Sequence, residues 1–234
     1  MESLQSSLGA GALRALVLLA LVAPTAVASP AFEGECSDER LFAWARQHGA
    51  DIDNVVLGEF AFESQMAGGE RTWLARLRKR RGLMAAVHMK RGDVVLSVPE
   101  EALFSVAAAN KTELSEIIGQ FNLDSYTILA LFLLQETNKG QNSRYWPYLC
   151  QMPSSFQTTP YWPISQILQA GNTSNQYLQT RRLQVALQQD YNRLIPMLTH
   201  LFPAHVHPAT HSFRRWVWAK TCVFSRNWVS EGSE

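Results

Sequence analysis

A chain of 234 residues, 47% hydrophobic and 18% charged, can bury a core; this excludes a disordered tail and bounds the chain to one or two domains. Lys and Arg number 21 against 20 Asp and Glu, so a net charge of +1 excludes a nucleic-acid or membrane partner chosen by global charge. Three cysteines, Cys36, Cys150 and Cys222, without a CxxC pair, exclude a zinc ribbon and a disulfide-framework miniprotein.

Residues 13–23 are apolar except for Arg14 and precede Ala26-Val27-Ala28, small residues at signal-peptidase spacing. Residues 1–28 therefore read as a signal peptide cleaved near Ala28. The apolar run is shorter than the ~20 residues a bilayer span needs, and no stable membrane span is expected after cleavage. The expected location is the ER lumen or the exterior. The alternative is a plastid reached by a bipartite leader, suggested by Ala28-Ser29-Pro30-Ala31-Phe32 and opposed by the acids at 33, 35, 38 and 39. In an oxidising lumen three cysteines permit one disulfide and leave one thiol. Asn110-Lys111-Thr112 and Asn172-Thr173-Ser174 would there be glycosylation acceptors.

Ser37, followed by Asp38 and Glu39, predicts a helix N-terminus, and Leu41, Phe42, Ala45 and His48 continue it to Gly49. Residues 54–62 and 93–98, rich in Val, Leu and Phe, predict strands of a small β unit bounded by turns at Gly58, Gly68-Gly69, Arg91-Gly92 and Pro99. Asp124 predicts the cap of a helix that is apolar nearly all round from Tyr126 to Leu134, hence buried. Between it and the next helix, Tyr145 to Pro163 carries four prolines and several aromatics, an ordered irregular segment. Leu183, Leu187, Tyr191, Leu194, Leu198 and Leu201 form a helical seam with a kink expected at Pro196. A last helix from about Ser212 puts Phe213, Trp216, Val217, Lys220, Val223 and Phe224 on one face.

Two clusters invite sharper readings. Arg76-Leu77-Arg78-Lys79-Arg80-Arg81 has five basic residues in six, a candidate polyanion site whose plainer reading is a solvated β-turn before Gly82. Without further basic stripes or stacking aromatics beside it, no nucleic-acid partner is expected. His200, His205, His207 and His211 fall within twelve residues, but with no acid or cysteine close by they read as a loop rather than a metal site. Phosphate-binding GxxxxGK[ST], GxSxG and HExxH motifs are absent from the sequence.

Three stretches resemble one family in order. They are Arg81-Gly82-Leu83-Met84-Ala85-Ala86 with Lys90 to Pro99; Leu129 to Leu134 with Trp146, Tyr148, Leu149, Pro153, Thr159, Pro160 and Trp162; and Trp218-Ala219 with Ser225-Arg226. Together they resemble SET-domain lysine methyltransferases of the Rubisco large-subunit methyltransferase type, over roughly residues 36 to 228. The resemblance implies an α+β fold, a partial β-rich SET core interrupted by an α-helical insertion. It implies an N-terminal SET half with its preceding helix at residues 36–105, the insertion at 106–212, and the start of the returning core at 213–234.

The resemblance further implies S-adenosyl-L-methionine as cofactor and a protein partner bearing an acceptor lysine. Lys79, Arg81 and Gly82 map to the cofactor cradle around a Gly turn, and Ser225 and Arg226 map to a second cofactor contact. A glycine suits a close main-chain approach to a bulky sulfonium. The sequence departs from the family where Arg80 stands at the first Gly of a Gly-x-Gly. It also lacks an Asn-His pair and any Tyr after Tyr191, features the family carries beyond the Ser-Arg element. The expectation is thus a truncated family member with no catalytic residue assignable, and weak or no activity. The alternative is a secreted or lumenal binding module built on the helical insertion.

Overall fold

A computed structural model describes residues 36–62, 78–169, 171 and 173–226. The expected signal peptide at 1–28, Gly68-Gly69, Arg76, Leu77, the expected glycosylation acceptor Asn172 and residues 227–234 lie outside the described residues.

The first helix, α1, spans Asp38–Gln47, and the Ser37 hydroxyl accepts from the Arg40 amide at 3.2 Å, as the cap pattern predicts. Gly49 ends it at φ 83°, a left-handed conformation that glycine takes without a Cβ penalty. The chain then turns into β1, Val55–Phe62, which pairs antiparallel with β2, Arg78–Ala85, from Val55↔Ala85 to Phe62↔Arg78. Ala50, Ile52 and Val55 are buried with Phe42 and Ala45 of α1, so a small apolar cluster seats the helix at one end of the hairpin.

Three expectations are corrected here. Gly58 does not bound a strand; it lies inside β1 opposite Gly82. The basic run is not a turn from residue 78 on, because Arg78 to Arg81 are the first half of β2. Residues 93–98 are not a strand: a single bridge, Asp51↔Ser97, and one bond from Asn54 Nδ2 to the Val94 carbonyl hold them. Val94 is 63% and Val95 51% exposed. The β-forming composition has no ladder partner among the described residues, and composition alone does not make a strand.

From Val106 the chain is helical. Short helices α2, Val106–Ala109, and α3, Ser115–Gln120, lead to α4, Ser125–Lys139. The Asp124 carboxylate caps α4, accepting from the Thr127 amide at 3.1 Å and hydroxyl at 2.6 Å. Burial would raise the Asp124 carboxyl, yet these bonds and the Lys220 charge hold it below the usual carboxylate range. Ile128 and Ala130 to Leu134 are all buried, as an all-round apolar helix requires. The irregular segment that follows contains α5, Trp146–Leu149, and α6, Ile164–Gln169.

The two long helices close the core. α7 spans Asn175–Leu201 and α8 spans Phe213–Arg226. Leu187, Leu194 and Leu198 of the predicted seam are buried, but Leu201 is exposed. α7 runs through Pro196, which faces solvent, where water can bond the carbonyl the imide leaves without a donor. In α8, Trp216, Val217, Lys220 and Val223 are buried; Phe224 is exposed, its ring 5.2 Å from that of Tyr126. One cluster joins Leu131, Phe132, Leu134, Leu149, Leu198 and Trp216. The result is α+β, with a two-stranded hairpin among the described residues set beside a helical block.

Candidate functional site

β1 and β2 place Gly58 and Gly82 directly opposite each other. A facing glycine pair leaves both strands without a Cβ at one step of the ladder, so a ligand can approach the main chain closely there. Gly82 is mid-strand rather than at a turn, and it is not among the glycines with positive φ. Its role therefore rests on absent bulk rather than on a special conformation.

The neighbouring Arg81 lies opposite Glu59 and turns its guanidinium to α1, where Nε donates to Asp38 Oδ1 at 3.2 Å and Nη2 also bonds that oxygen. The pair is about 40% exposed on both sides and contributes no more than ~1 kcal/mol to stability. Its consequence is electrostatic: the cation next to Gly82 is already neutralised. Lys79 follows along β2 opposite Ala61.

Ser225 and Arg226 form the last turn of α8. The Ser225 hydroxyl donates to the Cys222 carbonyl at 3.1 Å and accepts from Arg226 Nη1 at 2.8 Å, while the guanidinium lies 5.8 Å from the Phe156 ring centre. Burial pushes the Cys222 thiol up to about 12 and raises the Tyr148 phenol, with the Arg226 charge opposing both. This is an aromatic-walled helix end. Trp218 fastens it to the irregular segment by donating Nε1 to the Pro153 carbonyl at 2.8 Å.

The predicted site residues thus fall into two groups whose bonds run to different partners: Lys79, Arg81 and Gly82 on the hairpin, Ser225 and Arg226 on the helical block. Among the described residues no hydrogen bond or ion pair joins them. α1 bonds to both sides, with Asp38 accepting from Arg81 and Trp44 Nε1 donating to the Arg144 carbonyl beside α5 at 2.8 Å.

Two features escaped the sequence. Asp38 reads there as a helix-dipole acid, and nothing in the pattern links it to a residue 43 positions away. Lys220 reads as one member of a helical face, yet it is a buried ammonium: Nζ donates to Thr127 Oγ1 at 2.8 Å, lies 4.0 Å from Asp190 and stands 5.1 Å from the Trp216 ring centre. Burial lowers its pKa, and Asp124 and Asp190 oppose the shift. One cation therefore ties α4, α7 and α8. Among the described residues no three His, Cys, Asp or Glu are grouped to hold a metal ion, and no helix is long and apolar enough to cross a membrane.

The described residues form a glycine-faced hairpin packed by a leading helix, followed by a helical block that ends in α8. Solved structures share the fold. The SET domain of LSMT bound to lysine and AdoHcy matches with a TM-score of 0.62 at 18% identity, covering 84% of this chain and 41% of that one. Rubisco LSMT bound to AdoMet matches at 0.59 and 17% identity, covering 83% and 41%. In sequence, Protein SET DOMAIN GROUP 40 of Arabidopsis thaliana is 30% identical over an alignment of 166 residues, with 65% of this chain and 32% of that protein covered. No family model matches the chain. The chain is thus similar in sequence to a SET-domain protein and similar in fold to the solved LSMT chains. The chain spans about a third of the length of its curated relative and about two fifths of the solved LSMT chains.

Proposed function

We propose that this chain is part of an S-adenosyl-L-methionine-dependent protein-lysine N-methyltransferase, with its cofactor cradle on β2. The facing pair Gly58 and Gly82 carries the reading: it offers a side-chain-free main chain, and a solved structure of like fold is Rubisco LSMT bound to AdoMet. Neutralisation of Arg81 by Asp38 removes the repulsion an unpaired guanidinium would exert on a sulfonium, and the carboxylate adds attraction. Lys79 lies further along the same strand, and Ser225 with Arg226 supplies the second contact. A bound cofactor would supply the methyl group; an acceptor lysine on a protein would receive it.

Methyl transfer needs a neutral amine held in line in a channel that excludes water. Leu83 and Met84, which follow Gly82 on β2, are at least half exposed, so this end of the strand is open to solvent. On this reading the described residues by themselves transfer a methyl group weakly or not at all. Titration calorimetry with S-adenosylmethionine tests the reading. Saturable binding that Gly82→Trp abolishes while circular dichroism stays unchanged supports it, whereas wild-type heat no different from buffer refutes it.

One observation favours a second reading. The helical block owns a continuous core from Ile117 to Trp216, so it can present a rigid protein-binding surface without chemistry. Capture of a protein partner by residues 106–226 with no cofactor binding would select this module over the enzyme. For location we propose entry to the secretory pathway through residues 1–28, the reading the Ala26-Val27-Ala28 site supports, against a plastid route. Edman sequencing of the mature chain expressed in a eukaryotic secretory host would find Ser29 first; retention of residues 1–28 would refute cleavage.

A further inference from the structure

The cysteines carry an inference that the site above does not use. All three stand as thiols, and the structure separates them by position. Cys36 immediately precedes the Ser37 cap of α1, and Cys150 is the residue on which α5 ends. Both are half-buried; the Cys150 Sγ donates to the Pro147 carbonyl at 3.6 Å, and the Cys36 side chain is near enough to raise the Cys150 pKa. The packing around them explains why they meet: Trp44 of α1 bonds the Arg144 carbonyl, and its ring lies 6.3 Å from that of Tyr145, which opens α5. Cys222 is 1% exposed within α8, and its thiol is shielded by the helix core.

We propose that Cys36 and Cys150 form an intramolecular disulfide that fastens the start of α1 to the end of α5, leaving Cys222 as the single thiol. The reaction is exchange with a small-molecule disulfide, RSSR. A Cys36 thiolate attacks one sulfur and releases RS⁻; Cys150 then attacks the Cys36 sulfur of the mixed disulfide and releases the second RS⁻. Two S–H bonds are lost and one S–S bond forms, the two protons pass to the departing thiolates, and the reagent is reduced to two RSH. Burial together with the neighbouring Cys36 pushes the Cys150 thiol up to about 12, with the Arg40 charge opposing, so Cys150 suits the resolving step rather than the first attack. Asp38 lies two residues from the bridge. The disulfide therefore also steadies the carboxylate that engages Arg81 on β2.

The test equilibrates the purified chain with oxidised glutathione, blocks thiols with N-ethylmaleimide in denaturant, and maps peptides by mass spectrometry. The expected result is one blocked thiol, at Cys222, and one cross-linked peptide pair joining residues 36 and 150. Cys36→Ser should then leave both remaining cysteines without an intramolecular bridge. A cross-link that includes Cys222, or Cys36 and Cys150 recovered as thiols or as separate glutathione adducts, overturns the proposal. The assay reads covalent connectivity and stands apart from cofactor binding.

Discussion

The hairpin unit and the helical block solve the burial problem differently. In the block, α4 is enclosed by α2, α5 and α8, and Leu131, Phe132, Leu134, Leu198 and Trp216 are 2% exposed or less. In the hairpin unit the described apolar residues from Leu83 to Val98 stand largely in solvent, while Ala50, Ile52 and Val55 form a small buried cluster. The block therefore carries stability, and the hairpin is where the cofactor cradle is proposed. An apolar surface of that kind stays open until something covers it, so its order depends on partners in a way the block's does not.

Mutations can break this contrast. The largest effect is expected for Trp216→Ala, which empties the centre of the block and should cost about 3–5 kcal/mol in urea unfolding followed by circular dichroism. Next comes acid. Burial holds the His211 imidazole near 4 against an ordinary 6.5, with the His207 carbonyl opposing and the Arg215 charge adding to the shift. The folded state refuses a proton that the unfolded chain accepts, so this stability is complete above pH 6.5 and is lost as pH falls toward 4. The loss is on the order of 3 kcal/mol, and His211→Gln should flatten the midpoint-against-pH curve in that window. Asp124→Ala removes the α4 cap and should cost about 1–2 kcal/mol by the same unfolding assay. Smallest is the hairpin: Leu83→Ala should move the midpoint by less than ~0.5 kcal/mol, because that side chain is 53% exposed. A loss above 2 kcal/mol there would mean that the hairpin belongs to the cooperative core and would end the contrast.

The same division governed how far the sequence could be read. α1, α4, α7 and α8 were legible because caps and seams are local signals: Ser37 and Asp124 make the bonds their positions promise, and Leu187, Leu194 and Leu198 face inward. The four-residue α2 and the six-residue α3 were missed, being too short for periodicity to show. The strand expected at 93–98 failed because a ladder is a relation between segments, and the Val-Val-Leu pattern carries no record of a missing partner. The pairing of Gly82 with Gly58, and that of Arg81 with Asp38, cross 24 and 43 positions, and no spacing rule reaches that far. Ser225 and Arg226 lie where a plain helix terminus would put them, stacked on Phe156 and adjoining Tyr148.

α1 is ten residues long, roughly 15 Å from end to end. Its front grips the hairpin through one carboxylate, and its indole is lodged against the opening of α5. It behaves as a connecting rod: whatever tightens or loosens the strands around Gly82 must push on a short stiff lever whose far side is already clamped. Movement at the hairpin would then register as a change in Trp44 fluorescence before any change within the helices themselves.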